Sequence, residues 1–215
     1  MDWLLDAHRS LQGRDPQLVL DVGANVGQTT KLVKGRFPAA VVHAFEPIGS
    51  TFDALQAEVG SLPQVSCHRL ALSDRSGSMS ISTLPRDPRN SLTSTFLHEV
   101  KGLVQETVTL VRLDAFLSER GIRGADILKT DTEGHEMEVL RGAEEVLRRG
   151  DVKCVYVEVT FNPANRHHTL FGRVAEYLLP MGFRFAGLYE TENLLHPTKD
   201  FEFCNALFVL QPAKA

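Results

Sequence analysis

Six acids stand at or just beyond the ends of apolar runs, where a side chain can leave a core and meet a ligand: Asp21, Glu46, Asp131, Glu133, Glu136 and Glu158. Asp21 closes the run Leu18 to Val22 and is followed by Gly23-Ala24-Asn25-Val26-Gly27. Gly23 and Gly27 permit close backbone approach, and Asn25 tolerates positive φ. A helix opening near Val26 would aim free N–H groups at whatever lies over the turn. Glu46 ends the next apolar run, about 20 residues on, where a nucleotide fold presents a carboxylate to two ribose hydroxyls.

The charge of the turn selects among nucleotide-like ligands. A dinucleotide fingerprint reads Gly-x-Gly-x-x-Gly, whereas this chain has Gly-x-Asn-x-Gly behind an acid. An aspartate there would repel a pyrophosphate and attract a sulfonium or an ammonium, which points to S-adenosylmethionine (SAM) rather than NAD. The end of the third apolar run, Ala71-Leu72-Ser73-Asp74, is where an adenine ring is held in such folds, with Leu72 and Asp74 as the candidate contacts. Asp74-Arg75-Ser76-Gly77 reads equally well as a turn.

The acids after Lys129 are the candidates for chemistry on a second substrate. In an open α/β sheet the ligand lies at the carboxyl ends of the strands, which would gather Asp131, Glu133, His135 and Glu158. Asp131 would hold an ammonium or orient an acceptor hydroxyl. His135 titrates near neutral pH and is the first choice of general base. No metal is expected; a mixed site of Asp131, His135 and Glu158 binding a divalent ion is the lesser alternative. Glu133 and Glu136 would also complement a helix dipole.

The elements that must position these groups follow from the pattern. Strands are expected over 18–22, 40–45, 65–70, 126–130, 152–160, 183–189 and 203–210, and helices over 2–11, 26–34, 50–59 and 113–120, from the end of the 131–136 block to 149, and over 170–181. Gly35 is expected to end the first helix after the glycine turn. Residues 78–84 and 106–111 alternate like half-exposed strands, and the polar connection between them, including His98, reads as a substrate-facing lid or an unstructured link. The expectation is one domain over 1–215 with an insertion at about 78–111.

Composition bounds the alternatives. The chain has 215 residues, 43% hydrophobic, with a net charge of -4, which disfavours a nucleic-acid partner. No apolar run is long enough to span a membrane, and the first residues lack a signal-peptide pattern, so a cytoplasmic location is expected. Cys67, Cys154 and Cys204 read as buried, reduced thiols.

The segments 20–27, Phe45-Glu46-Pro47, 70–74, 127–136, Val139-Leu140-Arg141-Gly142-Ala143 and 206–209 together resemble FkbM-family methyltransferases, over about 18–210. The Lys-x-Asp-x-Glu-Gly-x-Glu block from Lys129 is the most specific part. The resemblance implies a Rossmann-like class I methyltransferase fold: a mostly parallel seven-stranded sheet, an antiparallel edge hairpin, helices on both faces, and a small inserted β/loop lid. It implies SAM held by Asp21, Gly23, Asn25 and Gly27 at the methionine end, with Glu46 on the ribose and Leu72 and Asp74 on the adenine. It further implies O-methyl transfer to a sugar or secondary-metabolite hydroxyl; a homodimer is one open option for the assembly. An NAD-dependent oxidoreductase or epimerase and a catalytically idle binding module are the competing readings.

Overall fold

The computed structural model describes residues 2–83, 102–165, 167–191 and 203–211. Its strands and helices alternate: α1 (Trp3–Ser10), β1 (Leu18–Val22), α2 (Gln28–Arg36), β2 (Val41–Phe45), α3 (Gly49–Val59), β3 (Val65–His68), β4 (Ala71–Leu72), β5 (Gly77–Thr83), β6 (Val104–Val111), α4 (Leu113–Glu119), β7 (Ala125–Thr130), α5 (Glu136–Gly142), α6 (Glu144–Arg148), β8 (Val152–Val159), α7 (Phe171–Leu178), a 3-10 turn (Leu179–Met181), β9 (Phe183–Tyr189) and β10 (Cys204–Leu210).

Seven strands form the main sheet in the order β3-β2-β1-β7-β8-β10-β9, with β10 antiparallel to both neighbours and the pairs from β3 to β8 parallel. The strand order reverses between β1 and β7, the position at which open α/β sheets bind their ligands. Side chains alternate across the sheet with the period of two. Leu20, Phe45, Leu128 and Val155 join the core under α4 to α7, while Val19, Val42, Ile127 and Tyr156 face α1 and α2 on the other side. Trp3 stacks on Tyr156 at 4.1 Å between ring centroids and anchors α1.

The alternating stretches 77–83 and 104–111 pair as an antiparallel hairpin, and β4 joins β6 in parallel to make a separate three-stranded sheet. Its core of Ile48, Ala71, Ile81, Val108 and Leu110 packs beside the main one. Residues 84–101, with His98, lie outside the described residues.

Three boundary expectations change. The strand expected over 65–70 stops at His68: Leu70 N–H turns back to His68 O, and Ala71–Leu72 leave for the second sheet. Gly35 does not end α2, which runs through it to Arg36 before Phe37-Pro38. The single helix expected from the end of the 131–136 block to 149 does start at Glu136, after Glu133 and Gly134 at positive φ of 54° and 99°. It breaks at Ala143, where the buried Asp114 carboxylate accepts from Glu145 N–H and Val146 N–H at 3.2 and 3.0 Å and caps a new helix. Cys154 and Cys204 are buried and free as expected, while Cys67 is only half-buried.

Candidate active site

A cavity of 340 Å³ opens at the carboxyl ends of β1, β2, β7 and β8, within the range of about 300–1,000 Å³ usual for small-molecule sites. Its floor is the turn after β1. Gly23 sits at φ 70°, and a Cβ on it would lie 1.8 Å from Asp131 O, so only glycine lets the loops after β1 and β7 cross there. Gly27, at φ 89°, lets the start of α2 pack on Val59 and Leu55 of α3. Asn25 takes a φ of 50°, as its type allows.

Lys129 ties these loops together. Its ammonium donates to Gly23 O at 3.0 Å and lies 3.3 Å from Asp21 and 3.4 Å from Asp131. Burial works against the charged ammonium, but the Asp131 and Asp21 carboxylates outweigh it and hold its pKa above the ordinary lysine value. Asp21 is fully buried and also accepts from Thr30 Oγ at 2.7 Å. Neither Asp21 nor Gly27 is among the lining residues; each shapes the cavity from behind.

Glu46 does line it. One carboxylate oxygen accepts from Ile48 N–H at 2.9 Å and the other from Asn25 N–H at 3.2 Å, which fixes the group at the cavity wall. Burial raises its pKa to about 7, against the lowering effect of those two N–H groups and of Lys129. At the third strand end Leu72 lines the cavity and Asp74 does not; Asp74 accepts from Ser73 Oγ and pairs with Arg75.

His135 also lines the cavity, beside Ser73, with Nε2 3.1 Å from Ser73 Oγ and Nδ1 3.8 Å from Glu138. Burial lowers its pKa, opposed by Glu138. Asp131, Glu133, His135 and Glu158 all line the cavity as expected, but among the described residues Asp131, His135 and Glu158 do not converge as a metal set: His135 faces the Leu72–Ser73 end, whereas Glu158 meets His168 at 3.4 Å. His168 also lies 3.6 Å from Glu133, and burial brings its pKa down to about 4. Glu158 is 5% exposed, and burial followed by the charges of Asp131 and Glu133 pushes its pKa well above the usual carboxylate range. Glu136 is fully buried and accepts from Thr132 N–H, Thr132 Oγ, Gly134 N–H and Thr169 Oγ, so it braces the 131–135 loop instead of facing a ligand.

Three participants escaped the sequence reading. Lys129 entered only as the first residue of the Lys-x-Asp-x-Glu-Gly-x-Glu block, although its place beside the acids was a signal. His168 stands next to His167 in the connection after β8, and nothing local in the sequence ties it to Glu158. Glu190 lines the cavity and accepts from Asn205 at 2.7 Å, through a chain crossing that no local pattern carries. The lining now holds five carboxylates, Glu46, Asp131, Glu133, Glu158 and Glu190, and among the described residues Lys129 is the sole lysine or arginine beside them.

Comparison with known proteins agrees with this fold. The methyltransferase FkbM domain matches residues 21–185. Methyltransferase 1 of Beauveria bassiana is 32% identical over 149 residues, 61% of this chain and 60% of that protein. The 31-O-demethyl-FK506 methyltransferase FkbM of Streptomyces tacrolimicus is 30% identical over 159 residues, 61% of each chain. The matches thus span about three fifths of these relatives' lengths. The crystal structure of magnesium protoporphyrin IX methyltransferase from Synechocystis PCC 6803 with bound SAM shares the fold, at a TM-score of 0.54 and 13% identity over 97% of this chain and 75% of that one. The chain belongs to the FkbM methyltransferase domain family.

Proposed function

We propose that this chain is an O-methyltransferase that uses SAM to methylate a hydroxyl of a small molecule, a sugar or a polyketide-type secondary metabolite. The observation that carries the reading is the acidic lining of the cavity at the β1/β7 crossing. Five carboxylates against one ammonium suit a ligand bearing a sulfonium and an ammonium, and oppose a pyrophosphate. The hydroxyl acceptor is supported by family membership and by the O-methyl chemistry in the name of the Streptomyces relative.

When bound, SAM supplies a methyl group on a cationic sulfur, open to in-line displacement. Glu46, held by Asn25 and Ile48, has lone pairs for two ribose hydroxyls. Leu72, Ser73 and His135 lie together at the adenine end. Asp131, 35% exposed at its side chain and steered by Lys129, takes the amino-acid ammonium or the acceptor. The hydroxyl proton leaves toward the cluster of Asp131, Glu133 and Glu158, which line the cavity together. The base is thereby moved from His135 to the carboxylates. The hairpin β5–β6 and its connection are proposed as the acceptor lid.

The test is equilibrium binding of S-adenosylhomocysteine (SAH), followed by transfer of an isotope-labelled methyl to a panel of sugar and polyketide acceptors. One-to-one binding and a labelled methyl ether on an acceptor are expected. Protection of the fold by NAD without any response to SAM or SAH would overturn the reading.

A further inference from the structure

The geometry points to a divalent-cation site formed by Glu133, Glu158 and His168 at the acceptor end of the cavity, with the cation's open positions taking oxygens of the acceptor. This role rests on the methyl-transfer reading; the site itself does not. One donor atom from each residue falls in a group whose members all lie within 4.8 Å of one another. His168 Nε2 is 3.4 Å from Glu158 Oε2 and 3.6 Å from Glu133 Oε2. Ligands at about 2.1 Å from an octahedral cation stand roughly 3–4 Å apart, which matches these separations.

Three further features favour a cation between these groups. Glu158 is 5% exposed, and its Oε2, the oxygen facing His168, accepts no hydrogen bond among the described residues. A buried carboxylate oxygen without a donor is costly, and a cation is the partner that two converging carboxylates and an imidazole supply best. The far side of the imidazole is oriented as in known metal sites. His168 Nδ1 lies 3.2 Å from Asn165 Nδ2 and 3.3 Å from Asn165 Oδ1, the latter held by the backbone N–H groups of His167 and His168, and the ring stacks on Phe203 at 4.6 Å. The tautomer in which Nδ1 donates to Oδ1 is the one that turns the Nε2 lone pair to the carboxylates and a cation between them. Finally, Glu133 is kept at φ 54°, a strained conformation for a non-glycine residue that aims its carboxylate at the same point.

Two carboxylates and one imidazole suit Mn²⁺ or Mg²⁺ more than a thiolate-seeking ion. Glu133 and Glu158 line the cavity while His168 stands behind them, so the open coordination positions face the acceptor. Two neighbouring oxygens of a sugar would chelate there, and the bound hydroxyl would be acidified. Its oxygen forms the C–O bond as the C–S bond breaks, its proton passes to Asp131, and the cation keeps its charge throughout.

The experiment is an Mn²⁺ titration followed by electron paramagnetic resonance on the full chain stripped with chelator, with SAH affinity measured in parallel. One tight Mn²⁺ per chain is expected. Glu158→Gln and His168→Ala are expected to weaken it roughly 10- to 100-fold, and His168→Ala, whose ring stands behind the lining, to keep SAH affinity within about threefold of wild type. Glu133→Gln, at a partly exposed side chain, spares the buried core and should show the same loss. Absence of stoichiometric Mn²⁺ binding, or binding unchanged in all three variants, would overturn the site. Loss of SAH binding in the unmodified chain would instead count against the methyl-donor reading and leave the metal titration as an independent result.

Discussion

Glu46 gives the most discriminating prediction, because the same carboxylate that would take the ribose is held in a costly state. Its pKa rises from 4.5 to about 7, chiefly through burial. SAH hydroxyls donate to the ionised form, so binding should require that form. About one tenth of the protein has it at pH 6 and about nine tenths at pH 8, so SAH affinity should rise roughly tenfold across this interval. Near pH 7 binding should draw about half a proton out of the protein, readable as a dependence of the binding heat on buffer ionisation enthalpy. The stability sign is opposite. A folded-state carboxylate with a raised pKa binds more protons than its unfolded counterpart between pH 4.5 and about 7, so stability falls as pH rises through that window. The full rise corresponds to about 3 kcal/mol. Glu46→Gln removes the charge but leaves one acceptor for two backbone N–H groups, which returns about 1 kcal/mol of the gain. The variant should therefore be about 2 kcal/mol more stable than wild type at pH 8, close to equal or weaker at pH 4.5, and poor in SAH binding with no pH step near 7. Calorimetric titration and urea unfolding at several pH values read all three. A pH-independent SAH affinity in wild type, or the same step in Glu46→Gln, would refute the assignment.

Other outcomes follow from the same contacts. Lys129→Met leaves the buried Asp21 without its ammonium and should cost about 3–5 kcal/mol in urea unfolding, far beyond a surface lysine substitution. Gly23→Ala places a methyl 1.8 Å from Asp131 O at a left-handed φ, and should lose more than about 2 kcal/mol and most SAH affinity, as followed by thermal unfolding and titration. His135→Asn should lower kcat by less than about 10-fold once an acceptor is known, because its ring faces Ser73 and Glu138; a general base would cost about 100-fold or more.

The sheet was legible because apolar runs of strand length alternated with helical periods, and the glycine turn and Glu46 were legible because their spacing repeats a backbone requirement. Asp21 shows where that reading stops. Its type and place were informative, yet its partner is Lys129 across the β1–β7 pair, and it is not among the residues that line the cavity. Glu133 and Glu136 look alike in sequence and part in space: one turns outward at positive φ, and the other is saturated by four donors. The break at Ala143 could not be foreseen from helix propensity, since the cap comes from Asp114 on another helix. His168 was hidden for the same reason, because the bridge between Thr160 and Leu170 folds its loop back beside Glu158.

The central claim is that the acidic cavity at the β1/β7 crossing is a methyl-donor site. Titration of SAH into the wild-type chain and into Asp131→Ala and Glu46→Ala tests it most directly. One-to-one binding in wild type with a loss of at least tenfold in both variants is predicted; binding unchanged in both variants, or no binding in wild type, would contradict it.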